Sequence, residues 1–396
     1  MNFTFVFEPL PALLLCLALL TVLLIWFLYL RRIGRVSALA SRQAGDFSDI
    51  DPEVAAVGLE PASVVVYAQD EAENVARLLP QILGQVYSPG FEVIVVNEGA
   101  SEATADVVNA LALKHHNLYI TFTPDGARNL SRKKLGLMLG IKAARSRVVV
   151  NTTAAAVIDS PYWLLAMMRN FSDAQTQVVL GYASPASADK GHGRRCRAFD
   201  FVAASVTWLT SAIAGKPYRG TEFNIAYTRE AFFANKGFSS SLNLRYGDDD
   251  IFVSEIANGA NTAVELSPES HVGIRMHNHR GVLNELACRH EFTGRYVSKS
   301  SRRLMALGSW LLWVCTGCAA TAALLALPNL VYAAVALAIV IGEFIWVSAA
   351  WRRALKALGG RRLLLTLPCL ALGYPVRNAL RTLRCRLRKG RNYTWN

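Results

Sequence analysis

The sequence is poor in acidic residues, in cysteines at metal-binding spacing and in repeated segments. Asp and Glu number 29 against 42 Lys and Arg, which gives a net charge of +13. Much of this excess lies beside apolar segments, where anionic lipid headgroups are sufficient partners, so no nucleic-acid binding is predicted. The seven cysteines are scattered, and Cys315-x-x-Cys318 lies within an apolar run, so we expect no zinc site or disulfide there and no role for cysteine chemistry. The absence of internal repeats and low-complexity segments excludes a repeat array.

Apolar residues make up 53% of the chain and concentrate at its two ends, which are therefore the candidates for membrane segments. Residues 10–30 carry no charge, and about 20 apolar residues are enough for a helix to cross the hydrocarbon core. Because this run begins without basic residues and ends at Arg31 and Arg32, it is predicted to be an uncleaved anchor. Two later runs, 305–327 and 330–350, predict a helical hairpin.

Basic residues follow the first span, precede the second and follow the third, whereas the N-terminus and the hairpin tip carry none. This asymmetry predicts an integral protein of the inner membrane with its soluble domain on the cytoplasmic side. A fourth apolar stretch, 363–374, is too short to span and carries Pro368, with Pro375 following, so an interfacial or re-entrant segment is predicted. A transporter or channel is not predicted, because Glu343 is the only acid in the hairpin.

The region between residues 60 and 298 alternates short β-branched runs with amphipathic stretches. This pattern predicts one α/β domain with a mixed, mostly parallel sheet and helices on both faces. The expected strands are 63–67, 91–96, 119–122 and 147–150, and the expected helices are 69–84, 102–114 and 131–144. The predicted boundaries are an anchor (1–35), a polar linker (36–60), the α/β domain (61–300), the hairpin (301–351) and a basic interfacial segment with the tail (352–396).

Several short motifs follow one another in a fixed order. They are 68–74 (AQDEAEN), 131–134 (SRKK), 160–164 (SPYWL), 224–227 (NIAY), 237–238 (GF), 247–250 (GDDD), and 289–290 (RH) with 293–296 (TGRY). In this order they resemble the membrane-bound family 2 glycosyltransferases of bacteria, and the resemblance covers nearly the whole chain. It implies a Rossmann-like GT-A fold and the transfer of a sugar from a nucleotide-diphosphate donor, with inversion, to a lipid-linked or glycan acceptor.

The resemblance implies a nucleotide-sugar site at the carboxyl ends of the first strands, where open α/β sheets bind ligands. In this reading Glu71 and Glu98 contact the base and the ribose, since a carboxylate accepts hydrogen bonds from both. The alternative is that both are ordinary acids at helix starts, which the macrodipole favours. The other positions implied in this site are Ala68, Asp70, Lys134, Thr153 and Ala155.

Members of the family usually end the next buried strand in Asp-x-Asp, whose carboxylates hold Mg²⁺ or Mn²⁺ against the sugar diphosphate. Here those two positions are Thr153 and Ala155. Asp159 lies past the strand end, and His277 and His279 are interpreted as surface histidines. We therefore predict no conventional cation site, although the family implies Mg or Mn.

Three adjacent carboxylates, Asp248, Asp249 and Asp250, repel one another and are rarely placed together without a task or a surface that solvates them. In the family, the Asp matching Asp249 takes the proton from the acceptor hydroxyl while that oxygen attacks the anomeric carbon. All three are therefore catalytic candidates. The alternative is an acidic helix N-terminus, since residues 251–258 have a helical pattern.

A departing diphosphate also needs cations, which the family supplies partly through a Gln-x-x-Arg segment. This chain keeps Arg289, with His290 beside it, but has Leu in place of the Gln. Arg289 can bind a phosphate in bidentate fashion. Lys133 and Lys134 are further candidates unless they face anionic lipid. Asn224 ends a stretch that departs from the family pattern, and it joins Arg289 and His290 as a candidate for diphosphate or acceptor contacts.

Two functions remain open from the sequence. The first is an active glycosyltransferase, favoured by the ordered motifs and by the intact acidic cluster 248–250. The second is a catalytically inactive relative that scaffolds a partner glycosyltransferase or regulates the assembly of a polysaccharide or glycolipid, favoured by the lost metal carboxylates. Membrane lipids are expected partners in both. We prefer the first.

Overall fold

A single long helix that starts at Pro9 carries the first apolar run. Here α1 (Pro9–Ile25) continues through a π-helical turn (Trp26–Leu30) into α2 (Arg31–Ser48). The structure is a computed structural model, and it describes residues 7–48, 51, 54, 56–123, 130–187, 189–276, 278–298, 300–327, 329–360, 363 and 366–387. Val36 and Ala40 of α2 are buried, so the first part of the predicted polar linker is a helix packed against the rest of the protein.

Three helices in the described ranges are long and apolar enough to cross a membrane. The first is the N-terminal one, and the others are α11 (Ser300–Leu325) and α12 (Leu330–Ala357), which correspond to the predicted hairpin. The N-terminal helix packs against α11, and α11 packs against α12. The sequence prediction of one N-terminal and two C-terminal membrane helices is confirmed.

A seven-stranded sheet and a smaller three-stranded sheet form the middle of the chain. Their strands are β1 (Ala62–Gln69), β2 (Phe91–Glu98), β3 (Leu118–Phe122), β4 (Val148–Thr153), β5 (Ala156–Val157), β6 (Val178–Leu180), β7 (Ala183–Pro185), β8 (Ile225–Thr228), β9 (Thr262–Val264) and β10 (Val272–Ile274). The order in the large sheet is β3-β2-β1-β4-β8-β6-β9, and the order in the small sheet is β5-β10-β7. In the large sheet β3, β2, β1 and β4 are parallel, and β8 runs antiparallel to both of its neighbours.

Helices cover both faces of the large sheet, as the alternating pattern predicts. Successive β1 side chains point to opposite faces, so Val64 and Val65 enter two different hydrophobic clusters. Burial on both faces explains why these strands are nearly continuous apolar runs. The helices of this region are α3 (Ala72–Leu83), α4 (Glu102–Ala112), α5 (Arg132–Ala143), α6 (Trp163–Met168), α7 (Arg194–Ile213), α8 (Arg229–Ala234), α9 (Asp250–Ile256) and α10 (His279–Thr293).

The segment after the hairpin forms α13 (Leu367–Leu387), which packs against α10, α11 and α12. Arg377 and Arg381 of this helix both pair with the buried carboxylate of Asp200. A disulfide joins Cys288 of α10 to Cys385 of α13, with their Cα atoms 5.1 Å apart. The expectation that cysteine chemistry plays no part is therefore wrong. The two cysteines are 97 residues apart, so their spacing along the chain gave no signal.

Candidate active site

The acidic cluster lies at a tight turn that leads into α9. Gly247 has φ +109°, and a Cβ there would lie 2.6 Å from the Ile251 side chain, so only glycine fits this turn. Asp249 caps the helix, because its Oδ1 accepts a hydrogen bond from the backbone N–H of Asp250 at 2.9 Å. The predicted acidic helix start is therefore present. It is buried, however, and burial of three carboxylates requires compensating cations.

Arg289 of α10 supplies the first of these cations. Its Nη2 donates to Asp249 Oδ1 at 2.8 Å and to Asp248 Oδ1 at 3.1 Å, and its Nη1 donates to Glu222 Oε1 at 2.6 Å. The guanidinium also lies 5.5 Å from the centroid of the Tyr246 ring. The sequence analysis predicts that Arg289 contacts the diphosphate. In the structure Arg289 contacts the acidic cluster directly.

Lys133 at the start of α5 supplies the second cation. Its ammonium lies 2.6 Å from Asp248 Oδ2 and donates a hydrogen bond to Glu222. The same ammonium is 5.4 Å from the centroid of the Tyr67 ring at the end of β1. Lys133 and Arg289 thus share two carboxylates between them, and Glu222 pairs with both cations.

Asp250 has different contacts from its two neighbours. Its Oδ1 accepts from Arg219 Nε at 2.8 Å, and its Oδ2 accepts from Thr293 Oγ1 at 2.6 Å. Both carboxylate oxygens are therefore engaged, and the side chain is fully buried. These contacts hold the start of α9 to the loop at Arg219 and to α10, and a catalytic role of Asp250 stays a prediction.

The two remaining carboxylates ionise at very different pH. Burial raises the pKa of Asp249 to about 7, and the nearby charges of Asp250, Asp248 and Glu222 act in the same direction against Arg289. Burial also opposes the ionisation of Asp248, but Lys133 and Arg289 hold the pKa of its carboxyl well below the usual range. The neighbouring cations therefore favour the ionised form of Asp248, whereas burial and the neighbouring carboxylates favour the protonated form of Asp249.

The predicted nucleotide edge lies at the ends of β1 and β2. Gln69 pairs with Glu98 in register, and Glu71 follows directly as the residue before α3, so the two predicted acids lie at the same edge. Asp70, between Gln69 and Glu71, has φ +51°, a strained backbone conformation at the point where the chain leaves β1. Burial raises the pKa of Glu71. Ala68 is buried in β1, so only its backbone can serve a ligand.

Glu98 is more enclosed than the sequence suggested. It is buried, it accepts hydrogen bonds from the Tyr67 hydroxyl and, at 3.4 Å, from Gln69 Nε2, and Arg132 Nε lies 3.9 Å away. A nucleotide that contacts Glu98 must therefore share it with Tyr67. Glu98 is the last residue of β2 and the next helix begins only at Glu102, so Glu98 does not lie in the first turn of a helix as the alternative supposed.

The residues at the expected metal position do not fit a divalent cation. Thr153 lies opposite Tyr67 in the sheet and offers one hydroxyl, which has no hydrogen-bond partner among the described residues. Ala155 contributes only a carbonyl oxygen, which already accepts from the Arg275 backbone at 2.8 Å. Hard cations need several oxygen ligands, and the described part of the chain has no group of three His, Cys, Asp or Glu side chains that could hold a metal.

The other residues considered as ligands stand apart from this position. Asp159 is exposed beyond β5. His279 lies 3.0 Å from the Ser187 carbonyl and 3.8 Å from an Asp189 oxygen, as expected of a histidine near the surface. His277 lies outside the described residues.

Three other candidates of the sequence analysis, Asn224, Lys134 and His290, do not lie where their predicted contacts would place them. Asn224 is fully buried, and its amide donates to the carbonyls of Tyr182 and Ser270 while its oxygen accepts from Trp163, so no group remains for a diphosphate or an acceptor. Lys134 is fully buried too. Its ammonium donates to the backbone and hydroxyl of Ser241 and to the Tyr246 carbonyl, so it holds the loop before the acidic cluster and does not face a nucleotide.

His290 lies on the other side of α10 from this cluster, facing Arg219. Burial and the neighbouring arginines keep the pKa of its imidazole well below the usual range. Sequence reasoning also missed Glu222 and Tyr67. The departure of residues 220–224 from the family pattern was the only signal that pointed toward Glu222.

Comparison with known proteins gives one match to a family model and several similar solved structures. Residues 63–238 match the sequence model of Glycosyl transferase family 2. No curated protein matches the chain. A mannosyltransferase from Pyrobaculum calidifontis, solved in complex with GDP-Man and Mn²⁺, has a TM-score of 0.50 at 18% identity, over 85% of this chain and 98% of that one. This likeness shows a GT-A fold.

Two further solved structures are similar over a smaller part of the chain. Glucosyl-3-phosphoglycerate synthase from Mycobacterium tuberculosis has a TM-score of 0.39 at 16% identity, over 67% of this chain and 82% of that one. Mannosyl-3-phosphoglycerate synthase from Rubrobacter xylanophilus has a TM-score of 0.38 at 15% identity, over 65% and 85%.

Proposed function

We propose, because residues 63–238 match the sequence model of Glycosyl transferase family 2, that the chain is an inverting glycosyltransferase that works without a divalent metal. It transfers a sugar from a nucleotide-diphosphate donor to a lipid-linked or glycan acceptor at the cytoplasmic face of the membrane. The observation that carries the proposal is the buried carboxylate of Asp249, whose raised pKa of about 7 suits a proton acceptor at neutral pH.

Asp249 is the general base of the proposed reaction. Both hydrogen bonds that the described residues make to its carboxylate end on Oδ1, from Arg289 and from the Asp250 backbone. Oδ2 is left to accept the proton of the acceptor hydroxyl. As that proton moves, the acceptor oxygen bonds to the anomeric carbon. The bond from this carbon to the diphosphate oxygen breaks at the same time, and its electron pair leaves with the nucleoside diphosphate.

Lys133 and Arg289 provide the positive charge for the leaving diphosphate in this proposal. A guanidinium can hold two phosphate oxygens at once, and an ammonium acts as a point charge. Both cations are paired with Glu222. We propose that the diphosphate displaces Glu222 from them, because a phosphate oxygen can take the place of a carboxylate oxygen without leaving either cation unpaired.

A second function is favoured by the same ion pairs. If Glu222 is never displaced, the two cations stay neutralised and the site cannot hold a diphosphate. The chain is then an inactive relative that scaffolds a partner glycosyltransferase or regulates a polysaccharide or glycolipid assembly. The loss of both metal carboxylates, at Thr153 and Ala155, supports this alternative as well.

Donor binding separates the two functions. The purified full chain in nanodiscs is titrated with uridine and guanosine sugar nucleotides, once in EDTA and once with Mn²⁺. The proposal predicts binding in EDTA that Mn²⁺ leaves unchanged. Lys133→Met weakens this binding, whereas Lys142→Met, an exposed lysine on the same helix, leaves it intact. No binding of any sugar nucleotide at millimolar concentration contradicts the proposal and supports the scaffold.

The cytoplasmic location belongs to the proposal too. It is supported by the arginines that follow the first span, Arg31 and Arg32, and the third, Arg352 and Arg353, whereas the disulfide between Cys288 and Cys385 is more typical of an oxidising compartment. Protease treatment of inside-out membrane vesicles tests it. The α/β domain should be digested there and protected in intact spheroplasts, and the opposite result rejects this orientation.

A further inference from the structure

A cavity of about 320 Å³ lies where the α/β domain meets the membrane helices. It is separate from the acidic cluster, from which Arg219 divides it. The wall comes from α7, the loop after it, α10, α11 and α13. The side chains that matter for the argument are Arg219, His290, Arg302, Trp310 and Arg381.

The lining of this cavity is positively charged. Four arginines line it against two carboxylates, Asp200 and Glu291. Each carboxylate already has a cation of its own from α13, since Arg381 pairs with Asp200 and Arg386 pairs with Glu291. The positive charge of Arg302 is therefore not balanced by a carboxylate of the cavity wall. An anion is the complementary ligand.

Several buried polar groups of the wall have no hydrogen-bond partner among the described residues, and those of Arg219 and Tyr218 lie at its charged end. Arg219 is only 5% exposed, and while its Nε donates to Asp250, its Nη2 has no hydrogen-bond partner among the described residues. The same is true of the hydroxyl of Tyr218, which is also buried. Buried donors without partners are rare in folded proteins, and a ligand that accepts hydrogen bonds satisfies them.

His290 of α10 also lies in a positively charged environment. Its pKa lies well below the usual range because it is buried and because Arg219, Arg289 and Arg302 surround it. A neutral imidazole beside guanidiniums can still donate one hydrogen bond to an anion.

The other part of the wall is apolar and belongs to a membrane helix. Met305 and Trp310 lie in the first turns of the span Arg302–Leu325, and Trp208 of α7 also lines the cavity. Tryptophan is enriched where a membrane helix leaves the hydrocarbon core. One cavity thus joins a cationic end, at Arg302 and Arg219, to an apolar end at the bilayer.

We propose that this cavity binds the phosphate group of an anionic amphiphile. Arg219, Arg302 and His290 hold the phosphate oxygens, and the hydrocarbon chain leaves past Met305 and Trp310 toward the bilayer. Arginine is suited to the phosphate because its fork of N–H groups matches two phosphate oxygens. The site requires no sugar transfer, so it stands whether the chain is an enzyme or a scaffold.

Native mass spectrometry of the full chain tests the proposal, with phosphatidic acid as the probe and phosphatidylcholine, a zwitterionic lipid of no net charge, as the comparison lipid. We expect one tightly held phosphatidic acid per chain. Arg302→Gln should raise its apparent Kd about tenfold, as the loss of one charge-assisted hydrogen bond predicts. Arg353→Gln is the matched control, because it removes an exposed arginine at the end of the next span. It should change the Kd by less than about twofold.

Two further outcomes decide the nature of the ligand. Trp310→Ala should weaken the binding of phosphatidic acid while leaving the thermal stability unchanged. It is the deciding variant if Arg302→Gln lowers the Tm. If inorganic phosphate displaces phosphatidic acid at equal concentration, the site binds free phosphate, and the proposal that its ligand is an amphiphile is wrong. Equal affinity of the wild type, Arg302→Gln and Trp310→Ala for phosphatidic acid overturns the whole proposal.

Discussion

Arg289 Nη2 and Asp249 Oδ1 are joined by a buried hydrogen bond of 2.8 Å. A guanidinium this close would by itself lower the pKa of the carboxyl. The pKa of Asp249 is nevertheless raised, because burial and the neighbouring charges of Asp250, Asp248 and Glu222 outweigh Arg289. The pair thus combines a fixed orientation with a carboxylate that can take up a proton near neutral pH.

The first prediction concerns the pH dependence of sugar transfer. A general base must be ionised, and Asp249 has a raised pKa of about 7, so kcat/KM should rise with pH through a limb near pH 7 and level off above it. Glu222→Gln removes one of the negative charges that raise this pKa, so the limb should move to lower pH. A limb near pH 4 in the wild type would assign the base to an ordinary carboxylate.

The second prediction concerns Glu222 as the internal partner of the site's cations. Glu222→Gln removes the carboxylate that the diphosphate is proposed to displace from Lys133 and Arg289, so the affinity for the sugar nucleotide should increase by roughly tenfold. Glu230→Gln, an exposed glutamate on α8, is the control and should change nothing. Calorimetric titration in EDTA measures both. An unchanged or weaker affinity in Glu222→Gln rejects the displacement of Glu222 by the donor.

The third prediction concerns the buried Lys134. Its ammonium satisfies two backbone carbonyls and a hydroxyl in the loop that precedes the acidic cluster. Lys134→Met leaves these acceptors unpaired and should lower the free energy of unfolding by about 1–3 kcal/mol. Lys142→Met, on the exposed side of the same helix, should stay within about 0.5 kcal/mol of the wild type. Chemical denaturation measures the difference, and equal stabilities would remove Lys134 from this role.

The fourth prediction concerns the attachment of α13. Asp200 is buried and accepts hydrogen bonds from Arg377 and Arg381, so Asp200→Asn should loosen α13 once the disulfide to Cys385 is reduced. Hydrogen exchange over residues 367–387 should then rise. Glu291→Gln removes a more exposed ion pair to the same helix and should have little effect. Protection that is unchanged in Asp200→Asn would show that other contacts hold the helix.

The fold could be read from the sequence because its signals are local. The apolar spans need only length and the absence of charge, and the β1 and β2 runs are continuous because both faces of the sheet are buried. Residues 36–48 were taken for a polar linker because their buried side chains, such as Val36 and Ala40, are separated by polar residues on the other face of α2.

The site was only partly predictable. Asp249 and Arg289 followed from the motif order, but their direct contact joins residues 40 positions apart and left no trace in the sequence. Lys133 and Lys134 are adjacent and chemically alike, yet helix geometry turns one toward Glu222 and the other into the core. Asn224 was misassigned because its partners, among them Trp163, come from distant segments.

The release of nucleoside diphosphate from a sugar nucleotide, measured in EDTA with the full chain in nanodiscs, tests the central claim most directly. The wild type should turn over without metal, and Asp249→Asn should lose at least about 10²-fold in kcat while the Kd of the donor stays within about twofold. Asp173→Asn, an exposed aspartate, should match the wild type. Turnover that requires Mn²⁺, or full activity in Asp249→Asn, would contradict the account.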